Sequence, residues 1–208
     1  KRSNNSDKLK SKGNQSKKYS KQGFKSRNGS AKKYRKQKVD ETPLRIAFLG
    51  GLNEVGKNMT LYEYKDEMFL VDCGLAFPDP EMLGVDLVIP DFSYVEKNAD
   101  KIKGIIITHG HEDHIGGLAY LLKTVNIPVY GTKLTIGLIQ GKLKEHGLLS
   151  NAKLFEVAPG DVVEFDEFKV EMIHVNHSIP DAIALAIKCS CGTVIQTGDF
   201  KIDSTPID

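Results

Sequence analysis

Residues 108–117 read Thr108-His109-Gly110-His111-Glu112-Asp113-His114-Ile115-Gly116-Gly117, with three histidines and two acids within six positions. An apolar run over residues 104–107 comes before them and predicts a buried strand, while the apolar spacing after them predicts a helix. Neutral imidazole and carboxylate are ligands that zinc and related divalent ions take at catalytic sites. The pattern therefore predicts a metal site where a strand ends and a helix begins.

Two later segments supply further candidates of the same kind. Residues 174–181 end a predicted strand and enter a turn, in which His177 is free to point at a site. We expect His174 to be a partly buried strand residue, because it shares the register of the apolar residues before it. Asp199 follows a third apolar strand. Loops at strand ends are a common way to assemble one site from distant parts of a sequence.

Counting these ligands suggests two neighbouring ions that share a bridging carboxylate. The expected first-ion ligands are His109, His111 and His177; the second ion takes Asp113 and His114; Asp199 bridges both. Such a pair acidifies a shared water and stabilises both oxygens of a displacement, which suits hydrolysis. We therefore expect Asp113, His114 and Asp199 to be catalytic as well, with Asp113 able to accept the water proton and Glu112 outside the ligand set. A structural zinc is the alternative, but such sites are usually rich in cysteine, and Cys73, Cys189 and Cys191 lie elsewhere.

The charge of the chain is divided between two unlike parts. Residues 1–39 hold fifteen Lys and Arg against one acid, whereas residues 40–208 hold fourteen against twenty-six. We expect residues 1–43 to be a disordered, Lys-rich tail, because such a composition buries too little apolar surface to fold. A flexible polycation suits a phosphate backbone and favours nucleic acid as partner; the alternative is a solubilising tail without a partner.

The rest of the sequence predicts an α/β domain. The chain is long enough for one domain with a sizeable core, and it has no apolar run long enough to span a bilayer. We therefore expect a cytoplasmic protein with no membrane partner. Short strands with interspersed helices predict two sheets packed face to face with helices outside. Thr132 is expected to cap a helix that ends at Gly147.

Three features leave their role open. Residues 50–58 nearly spell a phosphate-binding P-loop, but Asn58 replaces the required Ser or Thr and the next residues alternate like strands, which argues against nucleotide binding. Asp72, at the end of a predicted strand, could face the site or only bond turn amides. The long loop over residues 75–92 has the length of a functional loop.

These residues together resemble the metallo-β-lactamase superfamily and, within it, the bacterial ribonuclease J family of β-CASP nucleases. The matching motifs are residues 49–58, 72–74, 84–91, 108–117, 177–181 and 197–201. The resemblance implies an αββα sandwich, two zinc ions on the ligands named above, and RNA as substrate. It further implies endonucleolytic and 5′-to-3′ exonucleolytic cleavage in rRNA processing and mRNA decay. Manganese or magnesium would also suit these ligands.

The resemblance covers residues 44–208, which we expect to be the N-terminal part of a metallo-β-lactamase domain. The rest of that domain, the β-CASP domain and the C-terminal domain are not in this sequence, nor is a further zinc-ligand histidine that the family supplies downstream. The resemblance implies a homo-oligomer formed through the absent C-terminal regions, and association with the ribosome or an RNA helicase. We expect residues 1–208 alone to bind the second metal weakly and to cleave RNA poorly.

Three other functions use the same residues. A DNA-processing β-CASP nuclease would keep the whole catalytic core. A small-molecule ester or lactam hydrolase of the same fold would keep the histidine cluster but would not need the basic tail. A non-catalytic RNA-binding scaffold would require broken ligands, and every ligand expected of this segment is present.

Overall fold

The computed structural model describes residues 42–205. The predicted tail over residues 1–43 lies outside the described residues except for its last two positions, so its disorder stays a prediction. No helix in the described part of the chain is long and apolar enough to cross a membrane.

Within residues 42–205, ten strands and four helices follow one another. The strands are β1 Arg45–Gly50, β2 Met59–Tyr64, β3 Glu67–Val71, β4 Ile102–Ile106, β5 Val129–Gly131, β6 Leu154–Glu156, β7 Val162–Glu164, β8 Lys169–His174, β9 Ile183–Cys189 and β10 Gly192–Gln196. The helices are α1 Ser93–Lys97, α2 Glu112–Ile115, α3 Leu118–Leu121 and α4 Lys133–Glu145, with 3₁₀ turns at Ala99–Lys101 and Leu149–Asn151.

These strands form two sheets. The first has the order β1-β2-β3-β4-β5-β6; its first two pairings are antiparallel, and the pairings from β3 to β6 are parallel. The second has the order β10-β9-β8-β7 and is antiparallel throughout. A parallel sheet needs cover on both faces. Here the helices supply one cover and the second sheet supplies the other.

The core divides into two apolar clusters that show these layers. One cluster joins the helices to the first sheet and contains Ile105, Leu121 and Ile139. The other joins the two sheets and contains Phe69 and Phe168, whose rings meet edge to face at a centroid distance of 5.0 Å. Every buried apolar residue of α1 to α4 belongs to the first cluster. The predicted α/β fold is confirmed, with layers in the order helices, first sheet, second sheet within residues 42–205.

Local differences from the predictions have identifiable causes. The helix expected after His114 is two short helices, α2 and α3, separated by Gly116 and Gly117. Thr132 occupies the position before α4, but its side chain caps no backbone N–H. The Thr132 hydroxyl donates instead to the Asp181 carbonyl oxygen, 2.9 Å away. The Asp181 carboxylate accepts the Leu134 N–H at 3.2 Å and so caps α4 from another segment.

The loop that resembles a P-loop leads into a strand. Asn58 is followed at once by β2, not by the helix that a phosphate-binding loop requires. The Lys57 ammonium lies 2.9 Å from the Glu54 carboxylate, so it is paired within its own loop. Both observations agree with the argument against nucleotide binding there.

Candidate metal centre

Strand ends from both sheets meet at one edge of the molecule. Because β3 and β4 are parallel neighbours, Asp72 and residues 108–114 leave the first sheet on the same side. In the second sheet β8 and β10 both pair antiparallel with β9, so His177 and Asp199 also follow strands that end on a common side. The Ile183 N–H donates to the Thr108 carbonyl oxygen at 3.0 Å and joins the two sheets at this edge.

Three imidazoles converge at the centre of this edge. His111 Nδ1 lies 3.0 Å from His109 Nε2 and 3.2 Å from His177 Nε2. His109 is fully buried, whereas His111 and His177 are partly exposed. These ligand atoms lie close enough together to hold one metal ion. The structure therefore brings together the three residues that were predicted to share an ion.

A second group of ligand atoms lies beside the first. His114 Nε2 lies 3.6 Å from Asp113 Oδ2 and also 3.6 Å from Asp199 Oδ1. The other oxygen of Asp199 lies 3.9 Å from His177 Nε2, so this carboxylate stands between the two groups. His109, His114 and Asp199 form a second set whose ligand atoms could share an ion. Asp113 adjoins that set through its contact with His114.

Two residues behind the histidines fix how the rings face the centre. Asp72 is buried and accepts hydrogen bonds from the Thr108 N–H at 2.8 Å and from the Thr108 hydroxyl at 2.9 Å. His114 Nδ1 lies 2.8 Å from Asp72 Oδ2, and a carboxylate can only accept, so His114 donates from Nδ1. The Thr108 oxygen lies 3.1 Å from His109 Nδ1. Its hydrogen is given to Asp72, so it accepts from His109 Nδ1–H.

This network engages Nδ1 of both His109 and His114, so Nε2 is the ring nitrogen of each that faces the centre. Metal-binding histidines commonly donate their other ring N–H to a carboxylate or a comparable acceptor, which sets the tautomer and the ring orientation. The network therefore leaves Nε2 as the ring nitrogen through which both histidines can bind a metal ion, which on His114 displaces the Nε2 proton.

Local electrostatics differ between the two groups. Burial, and next the neighbouring imidazoles, lower the pKa of His109 to about 2, so its ring is neutral. Burial also lowers the pKa of His177, and the opposing pull of Asp199 does not reverse this. Burial alone would lower the pKa of His114, but Asp72, Asp113 and Asp199 outweigh it and raise that pKa to about 9. His109 is therefore a neutral nitrogen ligand in the first group, whereas His114 in the second group lies among carboxylates that attract a cation.

The donor set fits a divalent metal. Three imidazole nitrogens and the mixed imidazole and carboxylate group match the ligand types of catalytic zinc, with manganese also acceptable to the oxygen ligands. The Asp113 and Asp199 side chains are 39% and 49% exposed, so both carboxylates are open to a substrate. No cysteine lies in either group of ligand atoms in the described part of the chain. The arrangement has the features of an open catalytic site and lacks those of a closed structural one.

The structure also sorts the remaining candidates. Glu112 lies outside both groups, as expected, and its carboxylate pairs with the Lys142 ammonium at 2.6 Å. His174 is exposed at the end of β8 and not partly buried, so that expectation is wrong. The alternation along β8 correctly predicted the strand face on which His174 lies. It did not indicate that His174 lies beyond the edge of the core, where it is exposed. The sequence left the role of Asp72 open; in the structure Asp72 supports the site through its bonds with Thr108 and His114.

Two contributors were missed by the sequence argument. The sequence predicted no separate role for Thr108 within the motif, although its hydroxyl joins Asp72 to His109. Asn58 was considered only as a departure from a P-loop, yet its side-chain amide lies 3.2 Å from the Asp113 carboxylate. Both contacts link residues from different strand ends, and no local pattern in the sequence indicates them.

Comparison with known proteins places this geometry in a family context. Residues 52–204 match the metallo-beta-lactamase superfamily. The chain is 51% identical to ribonuclease J of Synechocystis sp. over 167 residues, covering 79% of this chain and 26% of the relative. It is 47% identical to ribonuclease J 1 of Streptococcus pyogenes, with 78% and 29% covered, and 45% identical to ribonuclease J2 of Bacillus subtilis, with 82% and 31% covered. The chain thus spans about a quarter to a third of the length of these relatives.

Solved structures with low sequence identity share the fold. A protein of unknown function from Enterococcus faecalis superposes with a TM-score of 0.59 at 20% identity, covering 76% of this chain and 44% of that one. Human tRNase Z, short form, gives a TM-score of 0.50 at 18% identity, covering 74% of this chain and 68% of that one. These likenesses support the architecture alone.

Proposed function

The chain belongs to the metallo-beta-lactamase superfamily, and from that premise we propose that it carries the metal-binding centre of a ribonuclease J-like enzyme that hydrolyses RNA phosphodiesters. One observation carries the proposal: six histidine and aspartate side chains from three strand ends converge at one open edge. The relatives named ribonuclease J supply the substrate class.

The ligand assignment follows the two groups of atoms. His109, His111 and His177 would hold one zinc ion, and Asp113 and His114 would hold a second, with Asp199 available to both; manganese or magnesium is the alternative metal. Divalent ions bound there supply a water of lowered pKa and stabilise the charge on the attacking and leaving oxygens.

The residues of the chain have distinct tasks in this proposal. Asp113 is half exposed at the mouth of the centre and accepts the proton of the attacking water. His114 lies 3.6 Å from both Asp113 and Asp199, and together these three residues face the scissile phosphate. Asp72 and Thr108 hold the rings of His109 and His114 from behind, so that little reorganisation is needed when RNA arrives.

The wider role rests on the resemblance and the names of the relatives. We propose endonucleolytic and 5′-to-3′ exonucleolytic cleavage in RNA maturation and decay in the cytoplasm. A homo-oligomer, and association with the ribosome or an RNA helicase, belong to the same proposal. The basic residues 1–39 add a sequence-independent contact with the RNA backbone. Residues 1–208 alone bind the second ion weakly and cleave poorly.

The test of substrate is a time course on 5′-labelled, monophosphorylated RNA, using the protein that carries this chain. DNA of matched sequence and a small ester run beside it, and Asp113→Ala is the control variant. Release of labelled mononucleotide or of internal fragments from RNA alone, lost in Asp113→Ala, is the expected result. Cleavage of DNA or of the ester with none of RNA would keep the metal centre and overturn the substrate.

A further inference from the structure

Asn58 is held against the metal centre by its own backbone. Its N–H donates to the Asp113 carbonyl oxygen at 3.0 Å, and its carbonyl oxygen accepts the Gly74 N–H at 3.0 Å. Residue 58 is therefore tied on one side to the loop that carries Asp113 and on the other to the residues that follow β3. Its position does not depend on its side chain.

The Asn58 side chain adds a second set of contacts with the same loop. Its Nδ2 lies 3.1 Å from the Asp113 carbonyl oxygen and 3.2 Å from Asp113 Oδ2. It also lies 3.1 Å from His114 Nε2. The two oxygens of Asp113 can only accept, so the NH₂ end of the amide, and not its oxygen, must face them. Chemistry alone thus fixes the orientation of this amide.

The loop before Asn58 is shaped to make room for this side chain. Gly51 has a φ of +82°, and a Cβ atom there would lie 2.7 Å from Asn58 Oδ1. A larger residue at position 51 would be strained by this φ and would have to displace the Asn58 amide. The glycine that made this loop resemble a P-loop therefore serves to seat Asn58.

The chemistry of an amide suits the second group of ligands. A carboxylate has about four lone-pair positions, so a hydrogen bond from Asn58 occupies one and leaves the others free for a cation. An NH₂ group has two hydrogens and adds no charge; when the two Asp113 oxygens accept both hydrogens, the amide orients Asp113 and leaves His114 Nε2 to the metal ion. A carboxylate at position 58 would repel Asp113, and a serine would be too short to reach its Oδ2.

We propose that Asn58 is a positioning residue for the second metal ion, holding the Asp113 carboxylate in the direction of His114 and Asp199. This inference rests on the proposed two-ion centre. Residues that orient a metal ligand in this way change metal affinity by roughly 10- to 100-fold when they are lost. The first ion, on the three histidines, should be unaffected because Asn58 contacts none of them in the described structure.

The test measures the two metal affinities separately. Zn²⁺ is titrated by calorimetry into the metal-free protein that carries this chain, as wild type and as Asn58→Ala and Asn58→Leu; Leu keeps the size of the side chain and removes its donor. We expect the weaker-binding ion to lose roughly 10- to 100-fold in affinity in both variants and the tighter ion to change less than about twofold. Asn126→Ala, which removes an amide bonded to the Asn151 carbonyl oxygen outside the centre, should behave as wild type.

Folding is checked in the same variants by thermal unfolding in chelator. Little change is expected, because the Asp113 carbonyl oxygen keeps its bond from the Asn58 N–H. Two ions bound to Asn58→Leu as tightly as to wild type would overturn the inference and leave the proposed function standing. Equal weakening of both ions would also overturn it, since that indicates general disruption. A wild type that binds fewer than two ions would overturn the two-ion centre and this inference with it.

Discussion

His114 Nδ1 lies 2.8 Å from Asp72 Oδ2, and both side chains are almost completely buried. This contact joins the end of β3 to the start of α2, and it determines which nitrogen of His114 faces the metal centre. The orientation of one proposed ligand is thus set by a residue that is not itself in either group of ligand atoms.

Replacing Asp72 by Asn tests this relationship. The amide keeps the shape of the side chain but can present an NH₂ to His114 Nδ1, which would then accept and leave the proton on Nε2. We expect affinity for the second ion to fall by roughly 10- to 100-fold. Calorimetric titration with Zn²⁺ measures this loss. Unchanged affinity in Asp72→Asn would show that the tautomer of His114 is set elsewhere.

His177 and His174 offer a matched pair three residues apart. His177→Ala removes one of the three converging imidazoles, so the purified protein should lose its first ion and its cleavage of RNA. His174→Ala removes an exposed imidazole outside both groups and should keep both properties. Metal content by mass spectrometry and the RNA assay give the two readouts. Equal behaviour of the two variants would contradict the assignment of His177.

Two glycines should respond to alanine with opposite signs. At Gly74 a Cβ atom would overlap the carbonyl group of Asp113, so Gly74→Ala should lower the free energy of unfolding by about 3 kcal/mol and displace the site loop. Gly137, inside α4, has no atom within 4 Å of its Cβ position. Gly137→Ala should raise the free energy of unfolding by about 0.5–1 kcal/mol. Urea unfolding measures both changes in the free energy of unfolding. A destabilised Gly137→Ala would contradict the open space around the Cβ position of residue 137.

Metal removal should lower stability because the ions bind the folded chain. A ligand present at about 100 times its dissociation constant stabilises the folded state by about 2.7 kcal/mol. We therefore expect the unfolding temperature to fall in chelator and to recover when Zn²⁺ is added back. The shift should be smaller in His177→Ala. An unfolding temperature that does not respond to chelator in wild type would argue against a resident metal.

The sequence predicted the parts of the site that local pattern determines. The cluster at residues 109–114 follows an apolar run that β4 confirms, and His177 and Asp199 follow strands where alternation predicted them. Convergence of these loops was predicted because loops at strand ends commonly assemble one site from distant parts of a sequence. The geometry agrees with it.

The supporting contacts could not be predicted, because they join residues far apart in the chain. Asp72 bonds residues 36 and 42 positions away, and Asn58 bonds residues 55 and 56 positions away. A carboxylate or an amide at a loop has many local partners available to it. Only the packing of β2, β3 and β4 selects the distant one. The same reason explains Asp181, which caps α4 from another loop where Thr132 was expected to do so.

Anomalous X-ray scattering at the zinc edge, from crystals grown with Zn²⁺, tests the central claim most directly. We expect two anomalous peaks, one bounded by His109, His111 and His177 and the other by Asp113 and His114, with Asp199 between them. A single peak on the three histidines would contradict the second ion. No peak at this edge of the sheets would contradict the metal centre itself.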